Sequence, residues 1–294
     1  MSTAAAKRIV VFGGNGFLGS RICKAAASRS WDVTSVSRSG PPKWSSVTSS
    51  ASPPPWSHKV TWERADIFQP SQWLALLQSA DYVVHSLGIL LEADYKKIVS
   101  GQASPFSLFS SSSSSSAPKS SANPLDRKPG DQSPLNKENR QQLTYETMNR
   151  DSAILLAKES AAKGVKAFGY VSAAAGAPVL PSRYITTKRE AEDVIEREFG
   201  REMRGVYFRA PFMYDSSRKF TVPIAAGAMV ANTFNGLTGG LLGGFLGAAG
   251  IKPLKADLVA EAVVEALADD KVRGVVGVED LERLGEKGRR GEVV

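Results

Sequence analysis

The 294-residue sequence has very little cysteine and histidine: Cys23, His58 and His85 are the complete set. A single cysteine cannot close an internal disulfide, so packing must hold the fold together. One thiol and two imidazoles far apart in the sequence do not supply the ligand set of a zinc site. We therefore predict no metal centre.

The beginning of the sequence lacks acidic residues and a secretory hydrophobic segment. The first 31 residues are basic, rich in Ala and Ser, and free of acids, which is typical of an organellar transit peptide. Residues 8–12 already have the pattern of a first strand, so we expect any such signal to be short or uncleaved. The missing secretory segment argues against export.

The formal net charge is +8, and much of the excess lies near the start of the chain. Residues 1–60 hold eight Lys and Arg side chains against one acid, Asp32. A basic cleft that attracts a polyanionic cofactor explains this excess. The sequence has neither an aromatic and basic RNA-reading motif nor a DNA-binding helix pair, so we expect no nucleic-acid partner.

Short apolar runs alternate with helical segments along the chain, which favours an α/β fold with a doubly wound parallel sheet. The predicted strands are residues 8–12, 32–37, 60–64, 82–85, 165–172, 205–209 and 275–278. The predicted helices are residues 17–29, 71–77, 145–163, 184–199 and 257–268. Residues 41–57, with five prolines, are predicted to form a loop.

Two regions follow from this pattern. Residues 1–215 are predicted to form the dinucleotide-binding domain, interrupted at about 100–142 by a disordered insertion that contains seven consecutive serines. Residues 216–294 are predicted to form a small substrate-side lobe whose final helix and strand return to the core. Within it, residues 222–251 carry no charge and eight glycines, and fit a buried loop, a lipid-contacting flap or, less well, a membrane span.

The strongest motif is a glycine turn that directly follows the first strand and precedes a helix. Gly13, Gly16 and Gly19 have the spacing that gives a tight turn, a close approach to pyrophosphate, and close helix packing. The predicted cofactor contacts in and after this turn are Gly13, Gly14, Asn15, Gly16, Phe17, Leu18 and Gly19.

The end of the second strand carries Ser37 and Arg38 where sites that prefer NAD usually hold an acid. Arg38 favours the extra phosphate of NADP, so we predict NADP, or else NAD, as the cofactor. Asp66 is a candidate contact of the adenine amine, with a helix cap as the competing role. Further predicted cofactor contacts are Ile67, Ser86, Leu87, Gly88 and Lys188.

Tyr184 and Lys188 lie one helical turn apart, so their side chains share a face. The expected role of the Lys188 ammonium is to lower the pKa of the phenol and to bind the nicotinamide ribose. Tyr184 would then exchange a proton with a substrate carbonyl during hydride transfer. His85 ends a buried strand beside the expected ribose, and we interpret it as a packed or hydrogen-bonded histidine.

Five segments together resemble the fungal mitochondrial atypical short-chain dehydrogenases linked to ubiquinone biosynthesis. They are residues 10–23, 35–40, 85–92 (His-Ser-Leu-Gly-Ile-Leu-Leu-Glu), 184–192 (Tyr-Ile-Thr-Thr-Lys-Arg-Glu-Ala-Glu) and 274–281. A nucleotide-binding accessory subunit of respiratory complex I is similar at a greater distance. The resemblance implies an extended or atypical short-chain dehydrogenase fold.

The resemblance also implies a site and a location. Active members carry a serine after the strand that precedes the tyrosine, and Ser172 matches that position only one or two residues early, with Ala173 and Ala174 in its place. The implied location is the matrix side of the mitochondrial inner membrane, with the coenzyme Q biosynthetic complex as partner and a quinone or prenylated lipid as ligand. Two functions stay open: an NADP-dependent oxidoreductase, or a nucleotide-binding structural subunit without turnover.

Overall fold

The computed structural model describes residues 6–88, 123–126, 144–175, 182–215 and 251–291. The predicted serine-rich insertion at about 100–142 and the predicted apolar flap at 222–251 lie outside these ranges, apart from 123–126 and Ile251.

A parallel sheet of seven strands forms the centre of the fold, in the order β3-β2-β1-β4-β5-β6-β9. The strands are β1 (Arg8–Phe12), β2 (Asp32–Ser37), β3 (Val60–Arg64), β4 (Tyr82–His85), β5 (Ala167–Ala173), β6 (Arg204–Ala210) and β9 (Gly274–Val276). The order reverses between β1 and β4, and in open sheets of this kind ligands bind outside the carboxyl ends of the strands at the reversal. This sheet confirms the predicted doubly wound α/β fold.

Helices cover both faces of the sheet. They are α1 (Gly19–Ser28), α2 (Trp44–Val47), α3 (Ser152–Ala162), α4 (Ser182–Phe199), α5 (Ala256–Ala268) and α6 (Val278–Gly291). One core packs α1, α5 and α6 against the sheet, with Ile22, Val263 and Leu284 among its buried side chains. The other packs α3 and α4, with Ile154 and Ile195 buried. The central strands are therefore covered on both sides, which explains their continuous apolar runs.

Four predicted elements differ from the structure. The helix predicted at 145–163 is a π-helix over Glu146–Asp151 and an α-helix only over Ser152–Ala162. Residues 71–77 form two 3₁₀ turns, Pro70–Gln72 and Leu74–Leu77, because the segment is too short for a stable α-helix. The predicted loop at 41–57 contains α2 and part of the 3₁₀ turn Pro55–Lys59. The last strand ends at Val276, and residue 278, which we had assigned to it, begins α6.

The end of the chain completes the main sheet. β9 pairs with β6, and α5 and α6 pack on α1 and on each other. A separate pair of two-residue strands, β7 (Met213–Tyr214) and β8 (Leu254–Lys255), joins the residues on either side of 216–250. None of the helices in the described ranges has the length and apolar character needed to cross a bilayer.

Candidate functional site

The glycine turn lies between β1 and α1 at the carboxyl edge of the sheet. Gly13 has φ +83°, a left-handed conformation that favours glycine, and its amide donates to the Val36 carbonyl at 2.8 Å. A Cβ on Gly13 would lie 2.9 Å from the Ser86 carbonyl oxygen. The predicted turn residues and Ser86 are thus brought together, and the backbone is held close to the space above the strands.

A cavity of about 400 Å³ opens beside this turn. It is lined by residues from the ends of β1, β2, β3 and β4, and by one residue of the π-helix Glu146–Asp151, which precedes α3. The predicted contacts among them are Asn15, Ser37, Arg38, Ile67 and Leu87, and the others are Phe12, Val36, Ser39, Ala65 and Met148. Its size and mixed lining fit the adenosine half of a dinucleotide.

The polar groups at this cavity are ordered by local hydrogen bonds. The Asn15 side-chain amide donates to the Ser39 hydroxyl at 2.7 Å, and Ser37 donates to the Gly40 carbonyl at 2.8 Å. Asp66 Oδ1 accepts the Phe68 amide at 3.0 Å, which is an Asx turn and not a helix cap, since the next helical turn begins at Pro70. Arg38 is exposed.

Tyr184 and Lys188 lie on α4 as predicted, with the Lys188 ammonium 5.6 Å from the centre of the Tyr184 ring. Lys188 is 4% exposed and donates to the Val171 carbonyl at 3.0 Å. A Cβ on Gly88 would lie 3.7 Å from Lys188 Nζ and 3.1 Å from Asn149 Oδ1. The end of β4, Asn149 and the Tyr184 and Lys188 pair therefore meet at one place.

The first turn of α4 contacts the start of the π-helix that precedes α3. The Arg183 guanidinium binds the Glu146 carboxylate through two nitrogens, at 2.9 and 2.5 Å. The Tyr145 and Tyr184 rings pack edge to face at 5.8 Å. This packing fixes the tyrosine ring before any ligand is bound.

Burial controls the protonation of this pair. It raises the pKa of Tyr184 to about 12 and lowers the pKa of Lys188 to about 8, although the Glu192 carboxylate opposes the latter shift. The expectation that the ammonium would lower the pKa of the phenol is wrong in this structure, because desolvation of the phenolate dominates. At neutral pH both groups keep their protons.

Ser172 is hydrogen-bonded to charged side chains of α4. Its hydroxyl donates to Glu192, which is 5% exposed, and it accepts from Arg189 at 2.9 Å. Arg209 binds the same carboxylate at 2.6 Å. The side chain of Ser172 is thus part of a buried ion network, and Ala173 and Ala174 follow it without a hydroxyl.

Glu192, Arg189 and Arg209, the further members of this network, are not among the predicted site residues. Glu192 lies four residues after Lys188, so Tyr184, Lys188 and Glu192 share one face of α4 over two turns. That spacing, together with an arginine in the apolar strand β6, was a usable signal, since a buried carboxylate requires a cationic partner.

His85 is fully buried, as the sequence indicated. Its Nε2 lies 2.8 Å from the Ser152 hydroxyl, which itself donates to the Met148 carbonyl at 2.8 Å. The imidazole therefore donates through Nε2 as the neutral tautomer. Burial, reinforced by the charge of Lys188, lowers the pKa of His85 to about 3.

A larger cavity, about 580 Å³, lies far from this edge between α1, α5 and α6. Its charged lining is already paired, since Arg29 binds Glu261 and Glu265. The larger volume therefore does not make it the better candidate. In the described ranges no cluster of three or more His, Cys, Asp or Glu side chains could hold a metal ion.

Comparison with known proteins begins with the segment that carries the glycine turn. Residues 9–95 match the NAD dependent epimerase/dehydratase family. The MIOREX complex component 2 of Saccharomyces cerevisiae is 38% identical over 229 residues, covering 74% of this chain and 76% of that protein. An uncharacterized chloroplastic protein of Arabidopsis thaliana is 40% identical over 97 residues, 33% of this chain and 30% of its own length.

Solved structures share the fold at low identity. A short-chain type dehydrogenase/reductase from Mycobacterium ulcerans gives a TM-score of 0.55 at 13% identity, over 94% of this chain and 90% of that one. A UDP-glucuronic acid 4-epimerase from Bacillus cereus, in complex with NAD, gives 0.53 at 17%, over 92% and 76%. The predicted cofactor class, NADP or NAD, is confirmed by the matched family and the glycine-turn geometry.

Proposed function

We propose that this chain, which belongs to the same family as the yeast MIOREX complex component 2, is an NADP-dependent oxidoreductase acting on an apolar carbonyl compound. The observation that carries this proposal is the Tyr184 and Lys188 pair beside Gly88, in which Lys188 is buried and Tyr184 is half-buried. It lies at the carboxyl edge of the sheet, where a dinucleotide held by the glycine turn would end.

The residues divide the work as follows. The glycine turn and the start of α1 would hold the pyrophosphate, the cavity at Asn15 and Ile67 would take the adenosine, and Lys188 and Gly88 would bind the nicotinamide ribose. A bound NADPH supplies a hydride. Arg38 would bind its 2′-phosphate, which favours NADPH over NADH.

Tyr184 supplies the proton. With its pKa at about 12 the phenol is protonated at neutral pH, so it can donate to the carbonyl oxygen as that oxygen gains negative charge. The Lys188 ammonium stabilises the phenolate that is left. The carbonyl becomes an alcohol, and Tyr184 then regains a proton from solvent.

We place this activity in ubiquinone biosynthesis, with a quinone precursor as substrate. The support is the resemblance of residues 85–92 and 184–192 to the ubiquinone-linked dehydrogenases. A location on the matrix side of the mitochondrial inner membrane, in contact with the coenzyme Q biosynthetic complex, belongs to the same proposal. The basic, acid-free first 31 residues support it, and the yeast relative is named as a component of a complex.

A second candidate is a nucleotide-binding structural subunit without turnover. The observation in its favour is that the Ser172 hydroxyl is bound to Glu192 and Arg189, so it is not free to polarise a substrate carbonyl. The more distant likeness to a complex I accessory subunit agrees with this candidate.

One experiment separates the two candidates. Purified protein with NADPH is mixed with mitochondrial quinone extract, and NADPH absorbance is followed over time. We expect oxidation in the unmutated protein and none in Tyr184→Phe, while NADPH titration by fluorescence shows that both bind cofactor. Binding without oxidation in either protein would support the structural subunit, and turnover that survives in Tyr184→Phe would contradict the role of the phenol.

A further inference from the structure

Two exposed arginines lie side by side at the carboxyl edge of the sheet without acidic partners. Arg38 follows β2 and Arg64 ends β3, and the Arg64 Nε donates to the Arg38 backbone carbonyl at 3.0 Å. Within the described ranges neither guanidinium forms an ion pair, whereas most other arginines there do, for example Arg150, Arg189 and Arg209. These two arginines leave unneutralised positive charge at this edge of the sheet, and such charge attracts an anion.

The register of β2 and β3 fixes the side on which Arg64 stands. Ser37 is paired with Arg64, so the two side chains share a face of the sheet. Ser35, two residues earlier on that face, lies against Gly14 of the glycine turn. Arg64 is therefore on the glycine-turn face, while the neighbouring carboxylate of Glu63 alternates to the other face.

The remaining groups around the two arginines are hydrogen-bonding and uncharged. Asn15 Nδ2 and Ser39 Oγ lie 2.7 Å apart, and both line the cavity described above. Asp66, the other nearby carboxylate, accepts the Phe68 amide with Oδ1. Nothing among the described residues at the end of β2 presents a carboxylate to a ribose, since Ser37 donates to Gly40.

From this arrangement we propose that Arg64, with Arg38, Ser39 and Asn15, forms a subsite for a phosphate monoester, the 2′-phosphate of NADPH. The inference rests on the proposed dinucleotide function and adds a second specificity-determining residue to it. A phosphate monoester carries nearly two negative charges at pH 7, with a second pKa of about 6. Guanidinium forks match its oxygens in geometry as well as charge.

The test compares NADPH and NADH binding to the full chain by fluorescence titration. Arg64→Met should weaken NADPH binding about tenfold, the usual effect of one charge-assisted hydrogen bond, and change NADH binding by less than about twofold. Arg38→Met should do the same. Arg201→Met is the matched control, because Arg201 is an exposed arginine in the turn after α4, away from the carboxyl edge.

The pH dependence of cofactor binding gives an independent test of the subsite. The preference of the unmutated protein for NADPH should shrink as pH falls below about 6, because the phosphate takes up a proton while arginine does not. Arg64→Lys, which keeps the charge and loses the fork, should fall between the unmutated protein and Arg64→Met.

The alternative outcomes are distinguishable. Arg64→Met that leaves NADPH binding unchanged, or weakens NADPH and NADH equally, would overturn the subsite while leaving the dinucleotide function intact. An unmutated protein that binds neither NADH nor NADPH would overturn the proposed function and the subsite together.

Discussion

Lys188 carries a positive charge on a side chain that is almost fully buried. Its ammonium has one carbonyl acceptor, Val171, and the faces of two tyrosine rings, Tyr170 and Tyr184, at 5.2 and 5.6 Å. The nearest compensation is Glu192, which already serves Arg189 and Arg209. Desolvation therefore prevails, and the pKa of Lys188 falls to about 8.

This value predicts how the proposed reduction depends on pH. Above pH 8 Lys188 is neutral and can no longer stabilise the Tyr184 phenolate, so the rate should fall with an apparent pKa of about 8. Tyr184 itself stays protonated over that range. The measurement is the rate of NADPH oxidation under saturating cofactor from pH 6 to 10. In Lys188→Arg, whose side chain keeps its charge, any remaining rate should not fall above pH 8. An unchanged fall in this variant would show that another group titrates there.

His85 gives a prediction about stability in acid. The native protein keeps this imidazole neutral, with a pKa of about 3 against 6.5 for an unperturbed histidine. The unfolded chain therefore binds more protons between these values, so stability present above about pH 6.5 is lost as pH falls. His85→Gln keeps a donor for Ser152 and removes the titration. We expect the urea midpoint to drop less between pH 7 and pH 4 in His85→Gln than in the unmutated protein; equal drops would contradict the assignment.

At the scale of elements, the glycine turn depends on contacts between backbones. A Cβ on Gly19, the first residue of α1, would overlap the Gly13 carbonyl, which already accepts the Gly16 amide at 2.9 Å. Backbone atoms on both sides leave no side chain that can move aside. The third glycine of the motif therefore sets how closely α1 approaches the turn.

Gly19→Ala should accordingly lower the free energy of unfolding by about 1–3 kcal/mol. It should also weaken NADPH binding, because the turn and the helix N-terminus separate. Urea unfolding and fluorescence titration measure the two effects. Gly277→Ala is the control, since a Cβ there would meet no atom within 4 Å, and a Gly19→Ala protein that behaves like this control would show that the turn adapts.

The elements that sequence reasoning found and missed differ in one physical respect. The strands up to β6 and the helices α1, α3 and α4 were predictable, because each buries an apolar run or face. Helix α6 was missed since Gly285 and Gly288 lower helix propensity. The structure explains them: Cβ atoms there would collide with Leu258 of α5 and the Arg29 guanidinium. The two glycines let α6 pack closely against α5 and against Arg29 at the end of α1, and a local sequence pattern does not show this packing.

At the scale of the whole molecule, the candidate site also depends in part on contacts that a local sequence pattern does not show. The positions of the glycine turn, Arg38, Tyr184 and Lys188 were predictable because each depends on local spacing, and their roles stay predictions. The role of Ser172 depends on Glu192 and Arg209, which approach it only through α4 and β6. The proposed contribution of Arg64 depends on the register between β2 and β3. Contacts between distant segments decide these roles, so the fold had to be known first.

The last prediction concerns how the whole protein meets a membrane. Residues 222–251 have no charged side chain, and basic residues precede and follow them, among them Lys219 and Lys252. An apolar segment with basic flanks is typical of a surface that binds anionic lipid, and a prenylated quinone precursor would be reached from such a surface. The chain should therefore float with liposomes that contain anionic lipid at physiological salt, and alkaline carbonate should release it from mitochondria.

Serine substitutions test which part of the chain is responsible. Replacing Leu241, Leu242, Phe245 and Leu246 together with serine should abolish flotation while NADPH binding, measured by fluorescence, is retained. Retained binding shows that the dinucleotide site is still folded, so the lost flotation can be assigned to the apolar segment. Resistance to carbonate would point to a membrane span, and an unmutated protein that does not float would leave residues 222–251 as part of the protein interior.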